Sequence, residues 1–209
     1  MITGVNTRHA NGIPDSMTSQ TLTIASLLLT WCIGSQGGTS ATQPQVGRPE
    51  AFSAIYANIS NVGQVGAAPI NIRITRWTGA GEDEKLMSVL GSKGTEGLVR
   101  ELQDGKSTGS IGTPQELPYE LRYARQYPTE GGGRRIILMT DRPMAFAERL
   151  SGGRSRDYPL TWIELRLDAN GRGEGSISLA ARLQLLGDIL GIEDYANQPA
   201  KLNDVKPIK

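Results

Sequence analysis

The sequence almost lacks the two side chains on which most active sites are built: it has one histidine, His9, and one cysteine, Cys32. A single cysteine makes no intrachain disulfide and cannot supply a tetrahedral thiolate metal site. Aromatic residues are scarce, at 5%, so a stacking-rich surface is not the dominant theme. Neither sign of charge dominates: 22 Lys and Arg against 21 Asp and Glu leave a formal +1. That balance exerts no general pull on nucleic acid or an anionic membrane. Long hydrophobic runs are missing too. The apolar stretch Leu22–Ile33 would span about 18 Å as a helix, short of the roughly 30 Å of a bilayer core.

What is present suits one domain: 209 residues, 38% hydrophobic, with 26 Gly and 11 Pro that predict many turns. No charged residue occurs between Asp15 and Arg48, and Leu22–Ile33 (LTIASLLLTWCI) sits in that gap. Followed by Gly34, Ser35, Gly37 and Gly38, it reads as the apolar region of a secretory signal with small residues for cleavage. Met17 is a candidate start. Leu29 three residues before Cys32 imitates a lipoprotein signal, but the bulky Trp31 stands where a small residue belongs. The expected organisation is therefore an extension and signal over 1–37, a flexible leader over 38–50, and a β-rich domain over 51–206. The localisation expected is periplasmic or extracellular, with no lipid anchor at Cys32.

Period-two patterns fill the domain. Ser53, Ile55, Ala57 and Ile59 share one face; Ile70, Ile72 and Ile74 point inward, with Asn71, Arg73 and Thr75 outward. Tyr119, Leu121 and Tyr123 alternate with Glu120 and Arg122, and Ile163, Leu165 and Leu167 with Glu164 and Arg166. Residues 134–141 (RRIILMTD) are apolar on both faces, as in a central strand. Asn170-Gly171 predicts a type I′ hairpin turn, after which Ile177, Leu179, Ala181, Leu183 and Leu185 alternate with Ser176, Ser178, Ala180, Arg182 and Gln184. A tight turn at Gly187-Asp188 and closing strands over 189–195 and 200–205 complete a meander. Glu82 to Gln103 has helical spacing and an acidic start suited to a helix dipole. Gly91, Gly94 and Gly97 each cost about 1 kcal/mol against Ala, so two short helices are expected there. The fold class predicted is mainly β, an antiparallel barrel or sandwich, with one helical insertion after the second strand.

Several strings stand together in order: Ile74-Thr75-Arg76-Trp77, Leu121-Arg122-Tyr123-Ala124-Arg125, Gly133-Arg134-Arg135-Ile136, Thr140-Asp141-Arg142-Pro143, Ile163-Glu164-Leu165-Arg166-Leu167-Asp168, and the glycines 171, 173 and 175. Over Phe52–Val205 this resembles a family of hypothetical secreted bacterial β-rich proteins of unassigned function. The resemblance implies export and a single domain. It implies no activity and no catalytic residues.

Once a signal is removed, the mature chain would hold neither His nor Cys. That excludes Ser-His-Asp and Cys-His mechanisms, His-bound zinc, His-ligated haem and thiol redox chemistry. No metal site and no cofactor is expected. Gly105-Lys106-Ser107 imitates a phosphate loop, but Arg100 stands where its first glycine is required. Asp168–Gly173 imitates a calcium loop, with Arg172 fifth and Leu179 twelfth, where a bidentate glutamate belongs. Between Arg122 and Arg172 there are ten Arg, no Lys and six acids. Arg122, Arg134, Arg135, Glu164 and Arg166 are therefore the candidate ligand-binding residues, set against a plainer reading as cross-strand ion pairs with Glu120, Glu164 and Asp168. Asp141, Glu164 and Asp168 are the carboxylates available to a glycosidase-like pair. The function expected is non-catalytic binding of a small ligand or another protein. The alternatives are a carboxylate-dependent hydrolase of envelope or extracellular glycans, and a structural or adhesive module. A hollow barrel would favour a ligand, and two carboxyls about 5–9 Å apart a hydrolase.

Overall fold

The computed structural model describes residues 47–59, 65–144, 157–186, 189–196 and 198–208. His9, the apolar run, Cys32 and the Gly187-Asp188 turn lie outside the described residues. The strands are β1 (Glu50–Asn58), β2 (Gly66–Ile74), β3 (Gly109–Gly112), β4 (Tyr119–Leu121), β5 (Tyr123–Pro128), β6 (Arg134–Met139), β7 (Leu160–Leu167), β8 (Gly173–Leu186), β9 (Ile189–Asp194) and β10 (Ala200–Pro207); the helical element α1 (Ala80–Asp104) follows β2. The spatial order is β4-β3-β2-β1-β10-β8-β7-β6-β5, with β9 on β8, and every pairing is antiparallel. The two ends of that order, β4 and β5, are separated in sequence only by Arg122. Their shared line pairs with β3 at its start and with β6 along its later part, and the Arg122 N–H donates to the Met139 carbonyl (2.8 Å) at the joint. The sheet is thus a nearly closed barrel, which leaves few edges to protect.

Period-two alternation fills the interior. Phe52, Ile72, Ile74, Ile111, Leu121, Ile136, Leu138, Ile163, Leu165 and Leu202 are all buried there. The set Ser53, Ile55, Ala57 and Ile59 does share a face, and that face is the outer wall. Phe52, Ala54 and Tyr56 take the interior instead, the two rings offering more apolar area to bury. Pro69 lies in the part of β2 that β3 does not reach, an edge position that proline tolerates.

A second core lies outside the barrel. Ile137, Met139, Leu160, Trp162 and Tyr123 face outward from β5–β7 and are buried with Leu86, Leu90, Leu98, Val99 and Leu102 of α1. This explains the two-faced apolar pattern of β6. α1 is broken at Gly94, whose φ of 66° and ψ of −168° are non-helical. The expected pair of short helices is thus realised as two limbs, 80–93 and 95–104. The second limb folds back, because Lys85 pairs with Glu101, residues a straight helix would hold about 24 Å apart.

The alternation in β8 conceals a change of face. Leu160 stands opposite Ala181 and Trp162 opposite Ser178, so β8 carries one extra residue between these pairs, a β-bulge. Ile177 and Leu179 therefore enter the barrel, while Ala181 and Leu183 enter the core under α1. Beyond Ala181, β8 has outrun β7. There Thr95, next to the Gly94 break, accepts a hydrogen bond from the Leu183 N–H (3.2 Å) and donates one to its carbonyl (2.6 Å).

The Asn170-Gly171 turn is also corrected. Of the two residues only Gly171 has positive φ, 74°. The Gly171 N–H bonds the Asp168 carbonyl (3.0 Å) and the Asp168 N–H bonds the Arg172 carbonyl (2.7 Å). This is a type I turn ending in a left-handed glycine, not type I′. Asp168 explains the preference, since its Oδ1 accepts the Asn170 and Arg172 N–H groups (both 2.8 Å) and fixes the longer loop. β3 was not anticipated from the sequence.

Candidate functional site

Alternation separates the arginines that adjoin in sequence. Arg134 turns into one end of the barrel, where it grips Glu50 with both terminal nitrogens (2.7 and 2.5 Å), bonds Gln126 (2.9 Å) and lies over the Phe52 ring. Arg135 turns outward to Glu164 (2.9 Å), which also holds Arg166 (2.7 Å). Burial would raise the Glu164 carboxyl, but hydrogen bonds from Arg135 and Arg166 outweigh it and leave its pKa lowered. Arg122 stands apart from both groups. It donates to the Gly105 carbonyl (3.1 Å) and pairs with Glu120 (2.7 Å) and Asp141 (3.4 Å). The five candidates are therefore three separate ion-pair clusters. Asp168 is spent on its own turn, whose N–H groups lower its pKa, the Arg172 N–H foremost.

The carboxylates do not converge. Glu164 stands opposite Ile137, and Asp141 lies four residues further along that line, about 13 Å in the strand direction. Asp168 lies as far the other way along β7. Asp194 was not singled out from sequence. Burial raises its pKa against the Ala196 N–H and the Ser178 hydroxyl, and its Oδ2 has no hydrogen-bond partner. Its neighbour Glu193 is engaged by Tyr158 (2.5 Å) and Gln184 (3.3 Å). Among the described residues no group of three or more His, Cys, Asp or Glu is placed to hold a metal ion.

Among the described residues the interior is packed with apolar side chains. The space at the Tyr56 end of the barrel, among Ile70, Ile111, Tyr119, Met144 and Ile177, is about 20 Å³, on the order of one water. Burial raises the Tyr56 hydroxyl to about 12. Two larger clefts lie outside. One, of about 410 Å³, opens between the limbs of α1 and the strands, lined by Arg76, Glu82, Lys85, Glu101, Lys106 and Arg122. Arg76 clamps Glu82 (2.6 and 3.1 Å) and donates to the Lys106 carbonyl (2.9 Å), so with Arg122 it places positive charge at the end of a helix with no basic residue in its last turn. The hydrogen bond from Arg76 lowers the Glu82 pKa. Asp83, from the start of α1, accepts a hydrogen bond from Tyr123 (2.6 Å) and pairs with Arg125 (3.4 Å), fastening the helix to β5. The other cleft, also about 410 Å³, lies between the Gly94 break and the end of β8. Of the residues in the first cleft, sequence reasoning reached Arg122 alone as a candidate. The fold-back at Gly94 assembles the rest, and no local pattern announces it.

The opposite side of the barrel differs in kind. From Ala51 to Ile72 the chain has no charged residue. Its outward side chains form the cross-strand pairs Ser53–Asn71, Ile55–Pro69 and Ala57–Ala67, and Ile59 and Val65 continue this ladder beyond the last pair. Ile59 and Val65 are 73% and 66% exposed. No helix among the described residues is long and apolar enough to cross a membrane. Comparison of the chain with protein-family models, with curated proteins and with solved structures gives no match.

Proposed function

We propose that this chain is an exported, non-catalytic protein that binds another protein through the bare wall formed by β1 and β2. The observation that carries the reading is the uncharged outward ladder Ile55–Pro69, Ala57–Ala67, Ile59 and Val65, which gathers three exposed large apolar residues in one place. Exposed apolar residues gathered in one place mark interaction sites, whereas scattered ones need no explanation. The apolar packing of the described interior residues adds support, because a barrel packed with side chains works from its outside. Export rests on the apolar run before residue 34 and its small-residue flank.

The test is site-specific photo-cross-linking in the producing cell, combined with fractionation. A cross-linker at Ile55 is expected to give a protein adduct of defined mass, while one at the exposed Glu174 on β8 gives none. No adduct at position 55, or recovery in the cytoplasm with an intact N-terminus, overturns the corresponding half of the reading. The cleft of about 410 Å³ beside α1 favours a second reading, a small polar ligand. Native mass spectrometry of the protein from its own cell would detect it as a bound mass that Lys85→Ala weakens.

A further inference from the structure

β9 is held from one side. The Tyr195 N–H bonds the Ala180 carbonyl (3.0 Å), and in an antiparallel ladder every second residue repeats that direction. Glu193, Gly191 and Ile189 therefore turn their backbone groups toward β8, opposite Arg182, Gln184 and Leu186. Leu190 and Ile192 turn theirs away from it. Thr95 fixes the same parity from the far edge of β8, because it takes both backbone groups of Leu183, the residue opposite Ile192. Among the described residues β9 pairs with β8 alone, and nothing hydrogen-bonds the N–H or carbonyl of Leu190 or Ile192.

An unpaired strand edge is a template for another strand, and proteins guard such edges with proline, lysine or a covering group. The part of β2 beyond β3 carries Pro69, and the β8 edge is covered by Thr95. β9 (ILGIED) has neither proline nor lysine. On the side of the sheet that faces α1, its Leu190 is half-buried against the second core. Ile192, opposite the buried Leu183, is 40% exposed. The edge thus calls for an extended backbone with apolar side chains at alternate positions on that same side.

We propose that this edge pairs with β9 of a second copy of the chain, antiparallel, across a two-fold axis at Gly191. The surface is separate from the wall of β1 and β2. A two-fold contact uses the same edge on both copies, and β9 itself supplies the backbone and the alternate apolar residues that its edge calls for. The side chains choose the register. With Gly191 opposite Gly191, Leu190 of each copy meets Ile192 of the other, and their free N–H and carbonyl groups exchange hydrogen bonds. Centring the axis on Ile192 would instead set Asp194 against Leu190. In the Gly191 register Asp194 comes level with residue 188, past the paired stretch, and its carboxylate is drawn back to its own Ala196 N–H (3.0 Å).

Sedimentation equilibrium and amide exchange of the purified protein test this. The chain is expected to sediment as a dimer at micromolar concentration, with the Leu190 and Ile192 amides exchanging more slowly there than after dilution. Ile192→Lys, a charge at a part-exposed edge position, is expected to raise the dissociation constant by roughly tenfold or more. A Cβ at Gly191 would meet nothing nearer than the Gln184 carbonyl oxygen at 3.6 Å, so a side chain fits there. Facing residues at such an axis lie about 4.5 Å apart at Cα, within disulfide reach. In a Cys32→Ser background, Gly191→Cys is therefore expected to link two copies on oxidation with copper phenanthroline, and Glu174→Cys is not. A wild-type monomer at every concentration overturns the proposal. So does a dimer that Ile192→Lys leaves intact, or one whose Leu190 and Ile192 amides exchange as in the monomer. A dimer without the disulfide at position 191 overturns the Gly191 axis. Should Ile192→Lys fail to fold, the wild-type exchange rates and the Gly191→Cys cross-link decide the matter.

Discussion

On β6 and β7 the outward side chains Ile137, Met139, Leu160 and Trp162 are buried under α1, whereas Ile55 on β1, Ile59 just after β1 and Val65 just before β2 remain 42%, 73% and 66% exposed. Both halves belong to one barrel and share one filled interior. The covered half carries large apolar residues outside because a helix supplies their second contact surface. The bare half outside carries small or uncharged residues from Ser53–Asn71 to Ala57–Ala67, with proline at the β2 edge, and no helix among the described residues is packed on it. A barrel wall does not need apolar residues on its outer face to fold, so those on the bare half call for an explanation other than stability.

The sharpest way to break this comparison is to remove the contacts that make the covered half. Leu98 is fully buried between α1 and the sheet, so Leu98→Ala is expected to cost about 2–5 kcal/mol in a denaturant titration. A loss below about 1 kcal/mol would mean that α1 is a loosely held cover, and the two halves would then differ little. Next comes the edge of β8. Thr95→Val keeps the shape but leaves the buried Leu183 N–H and carbonyl without their partner, at an expected cost of about 1–3 kcal/mol. Faster exchange of the Leu183 amide in that variant would locate the loss at the Gly94 break.

Those two residues show where sequence reading reached its limit. The helical break was legible, because glycine at 91, 94 and 97 weakens any continuous helix. The direction of the fold-back was not, since it depends on Lys85, Glu101 and the face that Leu98 finds on β6 and β7. β6 was legible as central because Ile136, Ile137, Leu138 and Met139 serve two cores. β1 was ambiguous: Phe52, Ala54 and Tyr56 compete with Ile55, Ala57 and Ile59, and alternation alone does not say which set faces in. The bulge in β8 was hidden because Leu179, Ala180 and Ala181 are all apolar and keep the written pattern intact. β3, four residues with glycine at both ends, carries too little pattern to be seen. The candidate site suffered in the same way. Arg134 and Arg135 read as one basic spot, yet a single step along a strand sends them to opposite faces.

A smaller effect separates the ion pairs from both cores. Glu164→Gln leaves Arg135 and Arg166 without their carboxylate. Both arginines are substantially exposed, so the cost at neutral pH is expected to be about 1 kcal/mol or less. The pH dependence gives the sharper signal. The lowered pKa values of Glu164 and Glu82 mean that the folded protein holds these protons less tightly than the unfolded chain does. Their stabilisation is present above the unfolded value of about 4.3 and is lost as pH falls through the lower, folded value. Glu164→Gln should therefore lie below wild type at pH 7 and converge with it in acid. Parallel curves down to the acid transition would show that Glu164 does no electrostatic work in the fold.

The smallest expected change is also the most informative about the bare wall. Ile55 and Ile137 are isoleucines that both point outward from the barrel, one 42% exposed and the other 3%. Ile137→Thr places a hydroxyl in the core under α1, and a loss of at least about 1 kcal/mol is expected. Ile55→Thr keeps a β-branched side chain on the same kind of strand but exchanges apolar surface for a hydroxyl that water already reaches. Its effect on the isolated fold should stay within about 0.5 kcal/mol. The measurement is a pair of denaturant titrations at a concentration low enough to keep the chain monomeric, with equal slopes as the check on a shared unfolding transition. A neutral result at Ile55 beside a large one at Ile137 would show that the wall residue is dispensable to the fold, leaving its apolar character to binding. A comparable loss at both positions would mean that Ile55 already has a cover within its own chain, and the contrast between the two halves would disappear with it.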